Sequence, residues 1–212
     1  MPYFRARPYA TVPVGDDGGV SDAPGSRSAT VTVLTTGYVS ERVASTVAYV
    51  HDGDTRLVVD PGMVAHRGLI LDPLAAAGVA PEQVTDVVFS HHHPDHTLNA
   101  ALFAAARFHD HWAVYRNDEW TSRDAEGAEL SPSIRLIRTP GHTAEDITTL
   151  VGTPDGVVAF THLWWHADGP PEDRVAEDPA ALHAGRARVL AVADLIVPGH
   201  GSPFEPGPTT PS

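Results

Sequence analysis

The sequence predicts an α/β fold in which two βα layers pack sheet against sheet, with helices on the outside. Three observations carry this expectation. Short β-branched and aliphatic runs recur along the chain, and some are apolar throughout, as strands buried on both faces require. Strands followed by a helix occur in the first half and again in the second, with no linker between the halves. Histidines stand directly after strand-like runs, on the loops where such a plan puts chemistry.

Residues 1–28 are rich in Gly, Pro, Asp and Ser and read as a loop-rich segment. The folded domain is expected over 29–203, and 204–212 as a flexible Pro/Thr-rich tail. The run 29–39 (ATVTVLTTGYV) has the β-branched richness of a strand. Runs 45–50 (STVAYV) and 55–60 (TRLVVD) are joined through Asp-Gly and read as a hairpin. Residues 66–78 read as a helix that stops at Gly78. The run 86–90 (DVVFS) reads as a doubly buried strand, and the Ala-rich run 98–106 as a helix. In the second half, 134–138, 147–151 and 157–161 read as strands. In 178–193, Asp178 takes the N-cap position of a helix and Pro179 its first turn. Residues 195–197 form a last short strand.

Composition narrows the function. There is no cysteine, so a metal would be held by nitrogen and oxygen alone. The formal net charge is −13, which makes extended nucleic acid a poor partner. No apolar run is long enough to cross a bilayer. The first residues carry arginines without an apolar stretch behind them, so a cytoplasmic location is expected. A small-molecule substrate is the expected partner, and a homodimer is allowed. No G-x-S-x-G, P-loop or G-x-G-x-x-G is present.

The strongest signal is Ser90-His91-His92-His93-Pro94-Asp95-His96. Alternate residues leaving a strand point the same way, so His91 and His93 can share one ion. Asp95 and His96 lie further round the turn and can face a second ion. Imidazole with carboxylate suits zinc, manganese or iron. His92 alternates away and reads as structural. His109 and His111 alternate on an expected strand and read as non-ligands. Trp112, Tyr115 and Trp120 read first as packing. Trp164 and Trp165 read either as an apolar wall for substrate or as core.

With LVVDPG (57–62), TPGHT (139–143) and VPGHG (197–201) in order after one another, the chain resembles the metallo-β-lactamase fold superfamily over most of its length. The phrases STVAYVHDGDTRLVVDPG and ADLIVPGHGSPF look most like its metallo-β-lactamase domain-containing protein 1 branch. The resemblance implies a four-layer αββα sandwich. It implies His91, His93 and His142 on one metal site, and Asp95, His96 and His200 on a second. It implies Asp60 as a buttress of the metal loop. Asp146 could likewise hydrogen-bond a ligand histidine.

One position departs from the family. Where a strand normally ends in a carboxylate that bridges both ions, VVAFTHLWW carries His162. A neutral imidazole offers one lone pair and serves one ion. His162 is therefore a terminal ligand of a two-metal site, a ligand of an effectively mononuclear site, or a residue that lines the pocket. Asp168, six residues on, is the nearby candidate for the missing carboxylate.

The implied activity is a metal-dependent hydrolase that uses a metal-bound hydroxide on a small ester, thioester, lactone or similar substrate. Zinc would lower the pKa of its bound water by about 9 units. Asp95 would orient that water and take up a proton, and His162 would assist the leaving group. One or two zinc ions are expected, with iron or manganese as alternatives. The alternatives in function are a mononuclear iron oxygenase, a phosphodiesterase or ribonuclease of the same fold, and a binding scaffold with a degenerate site.

Overall fold

The computed structural model describes residues 22–212. Most of the loop-rich segment expected over 1–28 therefore lies outside the described residues; 22–28 contain no helix or strand. Strands β1 (Thr30–Thr35), β4 (Val47–Asp52), β5 (Thr55–Val59), β6 (Asp86–Val88), β7 (Arg107–His109), β8 (Ala113–Arg116) and β9 (Glu119–Ser122) form a seven-stranded sheet in the order β1-β4-β5-β6-β7-β8-β9. Between β1 and β4, β2 (Tyr38–Val39) and β3 (Val43–Ala44) make a separate hairpin. A five-stranded sheet follows in sequence order: β10 (Glu129–Ser131), β11 (Ile134–Arg138), β12 (Ile147–Thr153), β13 (Gly156–Thr161) and β14 (Leu195–Pro198).

Three apolar clusters make the four layers. Val50, Leu57, Val59 and Val88 of the first sheet meet Ile134, Leu136, Val151, Val158 and Phe160 of the second. The outer face of the first sheet, with Tyr49, Val58 and Val87, packs on Ile70 and Leu74 of α1 (Gly68–Ala76). The outer face of the second, with Ile137, Leu150 and Ala159, packs on Leu182 and Val189 of a C-terminal helix, Pro179–Leu190. Each such aliphatic side chain contributes about 1.5–3 kcal/mol by leaving water. The expected αββα sandwich is what forms. Among the described residues, no helix is long and apolar enough to cross a membrane.

Local chemistry explains most boundaries. Asp178 Oδ1 accepts from Ala181 N and Pro179 occupies the first turn, so the C-terminal helix starts where the sequence places it. β4 and β5 pair antiparallel through the Asp52–Thr55 register, as the hairpin requires. The helix expected over 98–106 is not formed. The chain instead makes α2 (Pro94–Thr97) and a 3-10 turn at Ala100–Phe103. Asn99 separates the two, because its N and Nδ2 donate to Pro61 O and Gly62 O. With α2 counted, the C-terminal helix is α3. The run expected over 29–39 divides into β1 and β2, and β8 to β10 add strands that the sequence reading did not locate.

Two further expectations are corrected. Trp112 and Trp120 are not core residues. They are 46% and 51% exposed, and Tyr115 stacks on Trp120 at the first sheet's free edge. The stretch 204–212 is tied down rather than loose. Phe204 exchanges backbone hydrogen bonds with Ile196, and the Trp164 indole donates to Pro211 O at 2.8 Å.

Candidate metal centre

The site lies where strands of both sheets run out at one end of the sandwich. Asp60 follows β5, and the turn 90–96 follows β6, to which β5 is parallel. His142 sits between β11 and β12, His162 directly after β13, and His200 directly after β14, again a parallel pair. Loops distant in sequence are thereby brought to one point. Two close approaches depend on glycine. A side chain at Gly62 would meet Asp95 O at 1.7 Å, and one at Gly199 would meet His162 Cδ2 at 2.5 Å.

The imidazoles form two groups that share a member. One nitrogen each from His91, His142 and His162 lie together, and the same holds for His96, His162 and His200. His93 Nδ1 adjoins the first group, 2.9 Å from His91 Nε2 and 3.2 Å from His142 Nε2. Asp95 Oδ2 adjoins the second, 3.5 Å from His200 Nε2 and 3.6 Å from His96 Nε2. His162 Nε2 and His200 Nε2 are 3.1 Å apart. His96 Nε2 and His162 Nδ1 are buried with no hydrogen-bond partner. Such orphaned atoms cost about 1–3 kcal/mol each unless something pairs with them. A borderline divalent cation fits this donor set of neutral nitrogens and one carboxylate.

The outward nitrogens are held in place. His96 Nδ1 donates to Asp60 Oδ2 at 2.8 Å, and Ser90 N and Oγ both donate to the same carboxylate at 2.7 Å. Ser90 Oγ in turn lies 3.1 Å from His91 Nδ1. His142 Nδ1 donates to the buried Asp173 Oδ2 at 2.8 Å, and His200 Nδ1 to Ala44 O at 3.0 Å. Each contact fixes the ring so that its other nitrogen faces inward. Asp60 adopts a left-handed backbone (φ 48°), which aspartate tolerates, and Ser45 Oγ donates to its carbonyl.

Burial pushes the His91 and His162 imidazoles well below the usual histidine range, and their imidazole neighbours push the same way. Burial also lowers His93 and His200. For His96 burial acts downward too, but Asp60 and Asp95 outweigh it and hold the ring above its ordinary value. His91, His93 and His162 are thereby held as unprotonated nitrogens, the form that can ligate.

The structure brings all seven expected site residues together: His91, His93, Asp95, His96, His142, His162 and His200. Asp60 buttresses the turn as expected. Asp146 instead caps its own loop, accepting from Thr143 N and Oγ1, and is 3.8 Å from His91 Nδ1. Asp168 is exposed in a turn and supplies nothing to the site. The carboxylate that the sequence reading missed is Asp173, 31 residues from the histidine it holds and in no motif. The tryptophan pair divides: Trp164 is core, and Trp165 lines the pocket. That pocket has a volume of about 230 Å³, with Val39, Val43, Trp165 and Val175 as its walls above the histidines.

Comparison with known proteins agrees. The profile of the metallo-beta-lactamase superfamily matches residues 41–209. "Metallo-beta-lactamase domain-containing protein 1" of Xenopus laevis is 36% identical over 160 residues, covering 72% of this chain and 69% of that protein. Its human counterpart is 37% identical over 156 residues, covering 70% of this chain and 59% of the human protein. A solved metallo-beta-lactamase candidate from Thermotoga maritima superposes with a TM-score of 0.68 at 22% identity, over 85% of this chain and all of that one. An N-acyl homoserine lactone hydrolase, solved with N-hexanoyl-L-homoserine at its catalytic metal centre, gives a TM-score of 0.60 at 17% identity over 84% and 94% of the two chains. With the αββα layers and the histidine centre in place, these matches show that the chain belongs to the metallo-beta-lactamase superfamily and is a metallo-hydrolase of that kind.

Proposed function

We propose that the protein hydrolyses a small ester, thioester or lactone at a zinc centre formed by His91, His93, Asp95, His96, His142, His162 and His200. The observation that carries this is the convergence of two imidazole groups, with orphaned inward nitrogens, on the floor of a small apolar-walled pocket. A cation bound there supplies Lewis acidity, which acidifies water and polarises the bond under attack. The protein's own groups do the rest. Asp95 Oδ2, beside His96 and His200 and open to the pocket, orients the attacking water and takes its proton. Val39, Val43, Trp165 and Val175 bind the acyl portion and exclude solvent. His162 also lines the pocket and stabilises the leaving group where it is not occupied as a ligand.

A small neutral substrate suits the surroundings. The chain carries a net charge of −13, and Glu145 and Glu177 stand beside His93 at the rim, which opposes a polyanion. The lactone hydrolase of the same fold supports lactones as a first substrate class to try.

His162 belongs to both groups, yet one neutral imidazole serves one ion. The two metal positions are therefore unequal, and fewer than two ions per chain stay tightly bound. Elemental analysis after exhaustive dialysis checks this, and two retained ions would refute it. The activity is tested with thioesters, lactones, β-lactams and phosphodiesters, using His91→Ala and His93→Ala beside the wild type. Ester or lactone hydrolysis lost in both variants is the expected result. Hydrolysis that survives both substitutions, or cleavage of phosphodiesters alone, would overturn the reading.

A further inference from the structure

Between His91 and His93, which face the centre, His92 turns outward and meets two other turns. Its Nδ1 lies 2.6 Å from Glu145 Oε2, on the loop that carries His142. Its Nε2 lies 3.4 Å from Asp110 Oδ2, just after β7. His111, next in that turn, stands edge-on to His92 with ring centroids 6.2 Å apart at 75°. His111 also stacks on Trp112, with ring centroids 5.7 Å apart. His111 Nδ1 is shut off from solvent and has no hydrogen-bond partner among the described residues. One nitrogen from each histidine and one Glu145 oxygen lie within 4.8 Å of one another.

We propose that His92, His111 and Glu145 form a second, outer site for a divalent transition cation, separate from the inner centre. Two imidazoles and a carboxylate are the donor set that zinc and its neighbours prefer, whereas calcium and magnesium prefer oxygen alone. Three protein ligands leave one tetrahedral position for water. The group is partly exposed, beside a hollow lined by His92, His93, Thr143, Glu145 and Glu177, so an ion reaches it from solvent. An ion pair of His92 with Glu145 and Asp110 would account for those two contacts, but it has no use for His111. An outer ion uses all three residues. It would tie together the turn bearing His91–His96, the turn after β7 and the loop bearing His142, clamping the inner ligands from outside.

The test is a zinc titration of the metal-loaded protein by equilibrium dialysis with elemental analysis. Wild type is compared with His111→Ala and with the isosteric Glu145→Gln. Neither variant removes an inner nitrogen, so inner metal content, followed in the same samples, stays at the wild-type level. Wild type should take up one further equivalent, and each variant should bind it at least about tenfold more weakly. Anomalous scattering at the zinc edge should place the extra ion between the three side chains. No further equivalent in wild type, or one retained at equal affinity in both variants, overturns the proposal. Neither result bears on the inner centre.

Discussion

The two imidazole groups of the centre differ in how they are charged and how they are anchored. His91, His142 and His162, with His93 beside them, form an all-nitrogen cluster whose anchors are Ser90 and the distant Asp173. His96, His162 and His200 have a carboxylate in the group, Asp95, and a second behind it, Asp60. The first offers neutral lone pairs and little negative charge. The second offers charge, and with it competition from protons at His96. Sharing one ring sets the two groups against each other for its lone pair, a conflict that a carboxylate at the same place would remove.

The largest expected effects come from the shared ring. His162→Ala should lower hydrolysis by more than about hundredfold, beyond the usual effect of losing a group behind a ligand. His162→Asp should convert the centre into one that retains two ions through dialysis, read by elemental analysis. An unchanged metal count in His162→Asp would end the idea that this residue sets the inequality. Next are the anchors. Asp173→Ala should weaken the first position about 10–100-fold and leave the second, whereas Asp60→Ala should weaken the second more, through His96, and the first less, through Ser90, read by competition with a chelator. Equal losses at both positions would erase the comparison.

Arg186 gives a smaller effect on the same contrast. Its guanidinium is buried and donates to Leu163 O, Pro170 O and Pro171 O, holding the segment between His162 and Asp173. Arg186→Met leaves those carbonyls unpaired and should cost about 1–3 kcal/mol in a denaturant melt, loosening the first group before the second. The smallest effect is on pH. The unfolded chain takes up protons near pH 6.5 that folded His91 and His162 resist, so stability of the metal-free protein falls as pH drops from about 6.5 towards 5. Asp146, raised to about 6 by burial, offsets part of this, because it gains its proton earlier in the fold. The raised His96 has its influence above pH 6.5, where its stabilising contribution is lost as pH rises. Thermal melts across this range should show a shallower acid loss in His162→Ala than in wild type.

The parts of this centre legible in the sequence are those fixed by local geometry. The 91–96 turn, the two Pro-Gly-His loops and the Asp-Pro-Gly corner each place a ligand or buttress directly after a strand, so strand recognition locates them. Asp173 is different. It reaches His142 only because a buried arginine folds the 162–173 segment back across the site, and no spacing rule reports that contact. The same applies to Ala44, whose carbonyl orients His200 from another sheet. The lost helix at 98–106 has a similar cause. Composition favours helix there, but Asn99 bonds to Pro61 and Gly62 across the turn, and those tertiary bonds decide the backbone. His111 reads in the sequence as one of an alternating pair with His109 on a strand, but β7 ends at His109, and the turn beyond it brings His111 beside His92 and Glu145 from other loops.

Gly199 leaves no room for even one carbon on the side that faces the His162 ring, since a side chain there would meet Cδ2 at 2.5 Å. A methyl group there would wedge the ring away from His200 without altering a single donor atom. Gly199→Ala is thus a handle for shifting occupancy between the two positions, set by one carbon rather than by ligand identity.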